Sequence, residues 1–232
     1  MILTVGGTKG GSGKTTLATN IAIYLAKEGR SVMLVDADEQ GSSSQFFEIR
    51  SENLADESAG YTCVQVSGSN VHSRLKDFAK RYDDVIVDTG GRDTTAQRSS
   101  LLASDAFLIP LVPSAYDIWT ASIVNGIVKE TKLYNPYLKS FCVLNRVPHT
   151  SSQNHLEDCK NIIHQMDNLT LLEDILTSRA IYGHSATAGL SIYEMPKNSS
   201  QAAVLEFDKM ITRLLNQITD STNVEKQSLN HG

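Results

Sequence analysis

A glycine-rich segment near the start of the 232-residue chain carries the residue types that bind phosphate. It reads Lys9-Gly10-Gly11-Ser12-Gly13-Lys14-Thr15-Thr16 and lies between an apolar run and a segment of helical periodicity. Glycines let successive backbone N–H groups turn around a phosphate, and the dipole of the following helix favours the negative charge. We therefore predict that Lys14 contacts the β- and γ-phosphates of a nucleotide, that Thr15 binds Mg²⁺ and that Thr16 contacts the α-phosphate.

Two later apolar segments also end in acidic residues. Val32–Asp36 is followed two positions on by Asp38, so both carboxylates project to the same side at the end of a strand. The second segment, Asp84–Asp88, precedes Gly90-Gly91. Because it follows a phosphate-binding loop, it reads as a Walker B strand whose final aspartate holds Mg²⁺ through a water. The two glycines would let the next loop close on the γ-phosphate and reopen.

Short apolar segments alternate with helical patterns along most of the chain, which predicts an α/β fold in a single domain, with a mostly parallel twisted sheet covered by helices on both faces. We assign the domain to residues 1–218, a loop with a short helix to 41–60, and a disordered polar tail to 219–232. The expected helices are Lys14–Lys27, Ala115–Leu133 and Gln201–Gln217. The expected strands are Ile2–Val5, Val32–Asp36, Thr62–Val66, Asp84–Asp88, Phe107–Leu111, Phe141–Asn145 and a weaker Leu171–Ile175.

Composition excludes several classes of protein. No stretch approaches the ~20 apolar residues of a membrane span, and the chain begins directly with its first strand, so we expect neither a leader nor a membrane anchor. The formal charge of −5 gives no overall basic field. The three cysteines are scattered and never spaced as Cys-x-x-Cys, which argues against a disulfide framework or a zinc site.

The phosphate-binding loop departs from the pattern G-x-x-x-x-G-K-[ST] at two positions. Thr8 replaces the first glycine, and Lys9 adds a second lysine. The resulting Lys-Gly-Gly-x-Gly-Lys-Thr resembles the deviant Walker A motif of the ParA/MinD ATPases, and the resemblance extends over most of the chain. Within that family the chain looks like the small partition ATPases, including the carboxysome-distributing McdA group. The resemblance implies a P-loop NTPase that binds ATP and Mg²⁺ and hydrolyses ATP.

The same resemblance implies roles for further residues. Lys9 would cross the interface of an ATP-sandwich dimer and contact the partner's phosphates, much as an arginine finger does. Asp38 would orient the attacking water, and Asp36 would support the Mg²⁺ shell. At the end of a later strand, Asn145 and Arg146 would flank the adenine base.

The function implied by the resemblance is that of a ParA-type switch. ATP binding drives formation of the homodimer, the dimer binds DNA non-specifically, and an adaptor protein stimulates hydrolysis. The cycle positions a plasmid or a protein compartment in the cell. The protein itself would be cytoplasmic and associated with the nucleoid. A MinD-like switch on a membrane or protein scaffold is the alternative, although the polar C-terminal sequence lacks a basic amphipathic pattern. An iron-protein reductase would need paired cysteines that bridge a dimer and hold an iron–sulfur cluster, and no cysteine lies near the loop after Asp88. The candidate DNA-binding residues are Arg179, Lys197, Lys209 and Arg213.

Overall fold

The computed structural model describes residues 1–54 and 58–229, in which parallel strands alternate with helices. The strands are β1 (Ile2–Val5), β2 (Val32–Asp36), β3 (Thr62–Gln65), β4 (Asp84–Asp88), β5 (Ala106–Leu111), β6 (Lys139–Val147) and β7 (Thr170–Thr177). The helices are α1 (Lys14–Lys27), α2 (Ser42–Leu54), α3 (Val71–Phe78), α4 (Thr95–Leu101), α5 (Ala115–Thr131), α6 (Gln153–His164), α7 (Ala180–Thr187) and α8 (Lys197–Leu229). Short 3₁₀ helices lie at Gly68–Asn70 and Ile192–Glu194.

The seven strands form one sheet in the order β3-β2-β4-β1-β5-β6-β7, and every strand pair in it is parallel. All seven strands therefore end at the same edge. The glycine-rich segment follows β1 in the middle of the sheet, and the aspartates of β2 and β4 end beside it. In open parallel sheets, ligands bind at this carboxyl-terminal edge.

Apolar side chains cover both faces of the sheet, as predicted. On one face α1 and α8 pack over the strands, with Leu17, Ile21 and Phe207 at most 1% exposed. On the other face α3, α4, α5 and α6 form the covering layer. Because most strand residues are buried on both faces, the strands read as continuous apolar runs, and their predicted positions agree with the structure to within about two residues.

Two segments differ from their predicted form. Residues 42–54, expected to lie in a loop with a short helix, form the thirteen-residue α2, which Phe46 anchors in the core. The last helix, expected to end at Gln217, continues to Leu229, so the expected disordered tail is helical over residues 219–229. No proline or glycine interrupts that stretch, so nothing in it stops the helix. Residues 230–232 lie outside the described part.

None of the helices within residues 1–54 and 58–229 combines the length and the apolar character needed to cross a membrane.

Candidate nucleotide-binding site

The glycine-rich segment wraps the amino end of α1. Lys14, the first residue of the helix, is buried, and its Nζ donates to the backbone oxygen of Lys9 at 2.8 Å. Burial lowers the pKa of Lys14. Gly13 has a φ of 94°, and a Cβ atom there would lie 2.5 Å from the amide nitrogen of Asn145. Only glycine fits at that position, which accounts for the glycine that the motif requires before its lysine.

The second lysine of the loop is held within its own chain. Lys9 Nζ forms an ion pair with Oδ2 of Asp117, in the first turn of α5. Asp117 is 1% exposed, and the same oxygen accepts a hydrogen bond from Ser114 Oγ at 2.5 Å. The Lys9 side chain remains 41% exposed. To reach a partner subunit, Lys9 must therefore release Asp117.

The end of β4 provides a buried carboxylate with one unpaired oxygen. Asp88 Oδ2 accepts hydrogen bonds from Thr15 Oγ1 at 2.7 Å and Ser43 Oγ at 2.6 Å. Asp88 Oδ1 is buried without a hydrogen-bond partner among the described residues. Burial raises the pKa of Asp88 to about 7, against the two hydroxyl hydrogen bonds. An unpaired carboxylate oxygen beside a threonine hydroxyl fits Mg²⁺, which prefers oxygen ligands and few protein groups.

The two aspartates at the end of β2 have different surroundings. Asp36 is fully buried, and its oxygens accept from the backbone N–H of Ser44 at 2.8 Å and of Asp38 at 3.2 Å. Its visible task is to hold the start of α2 against β2; support of a Mg²⁺ shell stays a prediction. Asp38 lines a cavity of about 760 Å³ together with Lys14, Thr15 and the other loop residues Gly10, Gly11, Gly13 and Thr16. Its carboxylate accepts from the N–H of Gln40 at 3.1 Å.

The loop after β4 closes one side of this cavity. A Cβ atom on Gly91 would lie 2.6 Å from the backbone nitrogen of Gly10, so the two loops are in direct contact. At the neighbouring Gly90, a Cβ atom would lie 3.2 Å from an oxygen of Asp38. The glycines predicted to permit loop movement thus also permit close packing, Gly91 against the phosphate-binding loop and Gly90 against Asp38.

Asn145 and Arg146, predicted to flank adenine, support the phosphate-binding loop. Asn145 Nδ2 donates to the backbone oxygen of Ser12 at 2.7 Å, and Arg146 Nη1 donates to that of Gly11 at 2.5 Å. Arg146 has a φ of 54°, which is uncommon for a residue other than glycine. Both also line a second cavity, of about 570 Å³, next to Gly13. Their contact with the base stays a prediction.

Sequence reasoning missed two contributors to the site. Ser43 donates the second hydroxyl hydrogen bond to Asp88. It lies in a serine-rich segment that follows the Asp36–Asp38 pair, and this position in the sequence could have indicated its role. The second cavity has its other wall in residues 177–180 and Tyr182, between β7 and α7. No motif in the sequence marks this wall, because only the fold brings it beside the phosphate-binding loop.

Two of the four candidate DNA contacts are engaged by acidic side chains. Arg179 pairs with Glu206 at 2.6 Å and also lines the second cavity, whereas Arg213 pairs with Asp174 at 2.5 Å. Such pairing reduces the charge that either guanidinium can offer to a phosphate. The other two candidates are exposed and form no ion pair within the described residues: Lys197 and Lys209.

Comparison with known proteins gives consistent matches. Residues 3–187 match the family model described as the CobQ/CobB/MinD/ParA nucleotide binding domain. The chain is 28% identical over 220 residues to maintenance of carboxysome distribution protein A from Halothiobacillus neapolitanus, covering 94% of this chain and 96% of that protein.

Solved structures agree with the fold. The ATP complex of an McdA variant from Cyanothece superposes with a TM-score of 0.73 at 16% identity, covering 92% of this chain and 95% of that one. The cell division ATPase MinD from Pyrococcus furiosus gives 0.70 at 16% identity, covering 92% and 98%. At these identities the superpositions establish a shared fold only.

Proposed function

Because this chain belongs to the CobQ/CobB/MinD/ParA nucleotide-binding family, we propose that it is a ParA-type ATPase that switches with its nucleotide and positions an intracellular cargo. The observation that carries the proposal is the group formed by Lys14, Thr15 and Asp88 around one loop, with Asp38 lining the same cavity as Lys14 and Thr15. The carboxysome distribution protein that aligns over nearly the whole chain favours a protein compartment over a plasmid as the cargo.

Each group of the site has a separate task in ATP hydrolysis. Lys14 and the loop backbone bind the phosphates, and Ser12 and Thr16 complete the loop around them. Thr15 and Asp88 hold Mg²⁺, which neutralises phosphate charge when bound. Asp38 orients the attacking water and accepts its proton, because it lines the cavity whereas Asp36 is fully buried.

Dimerisation would follow from the position of Lys9. Two ATP molecules brought face to face repel each other, and a lysine from each subunit supplies compensating charge. The Lys9 side chain is partly exposed, and its ion-pair partner is the carboxylate of Asp117, which it can exchange for a phosphate. ATP would thus favour release of Asp117 and contact in trans.

The rest of the cycle rests on the family resemblance. The ATP dimer would bind DNA of the nucleoid in the cytoplasm, and an adaptor protein on the cargo would stimulate hydrolysis and release. A MinD-like switch on a membrane or protein scaffold is the competing function. Binding to anionic lipid vesicles in the ATP state, without binding to DNA, would favour the competitor.

The test is the assembly state of the protein with ATP and Mg²⁺ in sedimentation velocity. We expect Asp38→Ala to lower ATP turnover by roughly 100-fold and to accumulate the dimer. Adding Lys9→Ala to that variant should return it to a monomer, whereas Lys27→Ala, at an exposed lysine on α1, should not. Trp119, the only tryptophan of the chain, is 66% exposed near Asp117 and gives a second, fluorescence readout. An unchanged ATP-dependent dimer in Lys9→Ala would refute the trans role.

A further inference from the structure

A short stretch of the chain concentrates positive charge although the whole protein is acidic. Residues 74–81, in α3 and the turn that follows it, contain four basic residues and one acidic residue, whereas the formal net charge is −5. All four basic residues are exposed and together form what we call the α3 basic surface: Arg74, Lys76, Lys80 and Arg81.

The packing of α3 directs this charge outward. Val71 and Leu75 are fully buried against the sheet, so the opposite side of the helix faces away from the core. On that side Asp77 pairs with Lys80 at 2.8 Å, and the two side chains are 61% and 74% exposed. The other three basic side chains form no ion pair within the described residues: Arg74, Lys76 and Arg81. By contrast, two of the four C-terminal candidates are paired with carboxylates.

We propose that the α3 basic surface binds the phosphates of duplex DNA. This inference rests on the proposed function, for which it supplies the DNA-contacting surface. The positive charges of Lys80, Arg81 and Arg74 all lower the pKa of Asp77, so three of the four basic side chains lie around one exposed carboxylate and concentrate charge in one place. Long, exposed basic side chains suit contacts with the phosphate backbone, and such contacts do not depend on the base sequence of the DNA.

The character of α3 favours DNA over a lipid surface. Helices that lie on membranes bury an apolar face in the interface. The apolar side of α3 is already used against the sheet through Val71 and Leu75, and no large hydrophobic side chain of this helix is exposed. What remains for a partner is charge alone, and charge without apolar contact is the basis of non-specific DNA binding.

The α3 basic surface is also connected to the nucleotide site. Ser99, on α4, donates to the backbone oxygen of Ser69 at 2.9 Å and accepts from the N–H of His72 at 3.0 Å. The same α4 begins after the loop in which Gly91 contacts Gly10 of the phosphate-binding loop. A movement of that loop on ATP binding would therefore displace α4 and, through Ser99, the start of α3.

The experiment is fluorescence anisotropy of a random-sequence DNA duplex with full-length protein, ATP and Mg²⁺, over a range of salt. The test variant carries Arg74→Ala, Lys76→Ala and Arg81→Ala. A charge-matched control carries Lys27→Ala, Lys129→Ala and Lys132→Ala, and a third variant carries Lys197→Ala and Lys209→Ala. ATP turnover, measured for each, shows that the fold and nucleotide site are intact.

We expect the test variant to bind DNA at least about 10-fold more weakly and to lose about 2 to 3 from the slope of log K against log salt, since each phosphate contact contributes about 0.9. The charge-matched control should keep most of its affinity. Wild-type-like binding by the test variant, or an equal loss in the control, would overturn the inference while leaving the proposed function standing. A loss of DNA affinity confined to the Lys197 and Lys209 variant would overturn it as well.

Failure of the wild-type protein itself to bind DNA with ATP would instead refute the DNA step of the proposed function and this inference with it.

Discussion

Asp88 is the residue at which stability and function oppose each other most clearly. Burial raises its pKa to about 7 from the ordinary 3.8. Between those values the folded chain keeps a proton that the unfolded chain has released, so rising pH lowers the free energy of unfolding by about 1.4 kcal/mol per pH unit at most. The ionised Asp88 that the proposed Mg²⁺ site requires thus lowers the stability of the fold when no cation is bound.

We predict that Asp88→Asn stabilises the protein at pH 8 in the absence of Mg²⁺ and nucleotide. The neutral amide avoids the buried charge, and the advantage should shrink towards pH 5, where Asp88 is itself protonated. Chemical unfolding at both pH values measures it, with Glu52→Gln, at an exposed carboxylate on α2, as the control. The same variant should lose Mg²⁺-dependent ATP binding. A stability difference that does not change with pH would contradict this account.

The role of Asn145 has two interpretations, and a single substitution can distinguish them. Its amide nitrogen donates to Ser12 of the phosphate-binding loop, whereas the family resemblance places it at adenine. If loop support dominates, Asn145→Ala weakens ATP, GTP and inorganic triphosphate alike by roughly 10-fold, the value of one buried hydrogen bond. Titration calorimetry with the three ligands measures this, and Asn154→Ala, at an exposed position on α6, is the control. A loss restricted to ATP would assign Asn145 to the base instead.

At the scale of elements, α2 connects the nucleotide site to the C-terminal part of the chain. Its first turn contacts Asp36 and Asp88 through Ser44 and Ser43. One of its later residues, Arg50, is 4% exposed, and its guanidinium pairs with Glu194 in the 3₁₀ helix before α8, at 2.8 and 2.9 Å. Polar contacts at both ends, from Ser43 and Ser44 at the start and from Arg50 near the end, thus fix the position of α2, whose sequence has weak apolar periodicity.

We predict that Arg50→Ala destabilises the fold by about 3–5 kcal/mol, because it removes the charged partner of the partly buried Glu194 carboxylate. Arg98→Ala breaks the exposed pair with Asp93 and should cost less than about 1 kcal/mol. Urea unfolding of both variants gives the comparison. Equal effects would mean that α2 is held by Phe46 and its other apolar contacts rather than by Arg50.

At the scale of the whole molecule, α8 closes the core. Ala203, Phe207, Met210, Ile211 and Leu214 of this helix are fully buried, and Ile218 is 8% exposed. Within the part of α8 whose side chains the structure describes, Ile218 is the last buried residue. The domain boundary at residue 218 stays a prediction, which a truncated chain can test.

We predict that a chain ending at residue 218 keeps the melting temperature and ATP turnover of the full-length protein. The carbonyl of Ile218, which accepts from Lys139 at 2.5 Å, is retained in it. Thermal unfolding and an ATPase assay test the prediction, and a chain ending before Phe207, which removes core contacts, should fail to fold. A substantial loss of stability on removing 219–232 would place those residues inside the domain.

The amino-acid sequence alone predicts the strands, the sheet type and the phosphate-binding loop, because apolar periodicity and glycine placement are local properties of the chain. It also located Asp38 and Asp88, since acidic residues that end apolar strands meet at one edge of a parallel sheet. The hydrogen-bond and ion-pair partners of these residues follow from the three-dimensional fold and could not be predicted from the sequence. The contacts of Ser43 with Asp88, Lys9 with Asp117 and Arg50 with Glu194 join residues 45, 108 and 144 positions apart. Local periodicity carries no information about such pairs, because strand order and helix packing decide which distant side chains become neighbours.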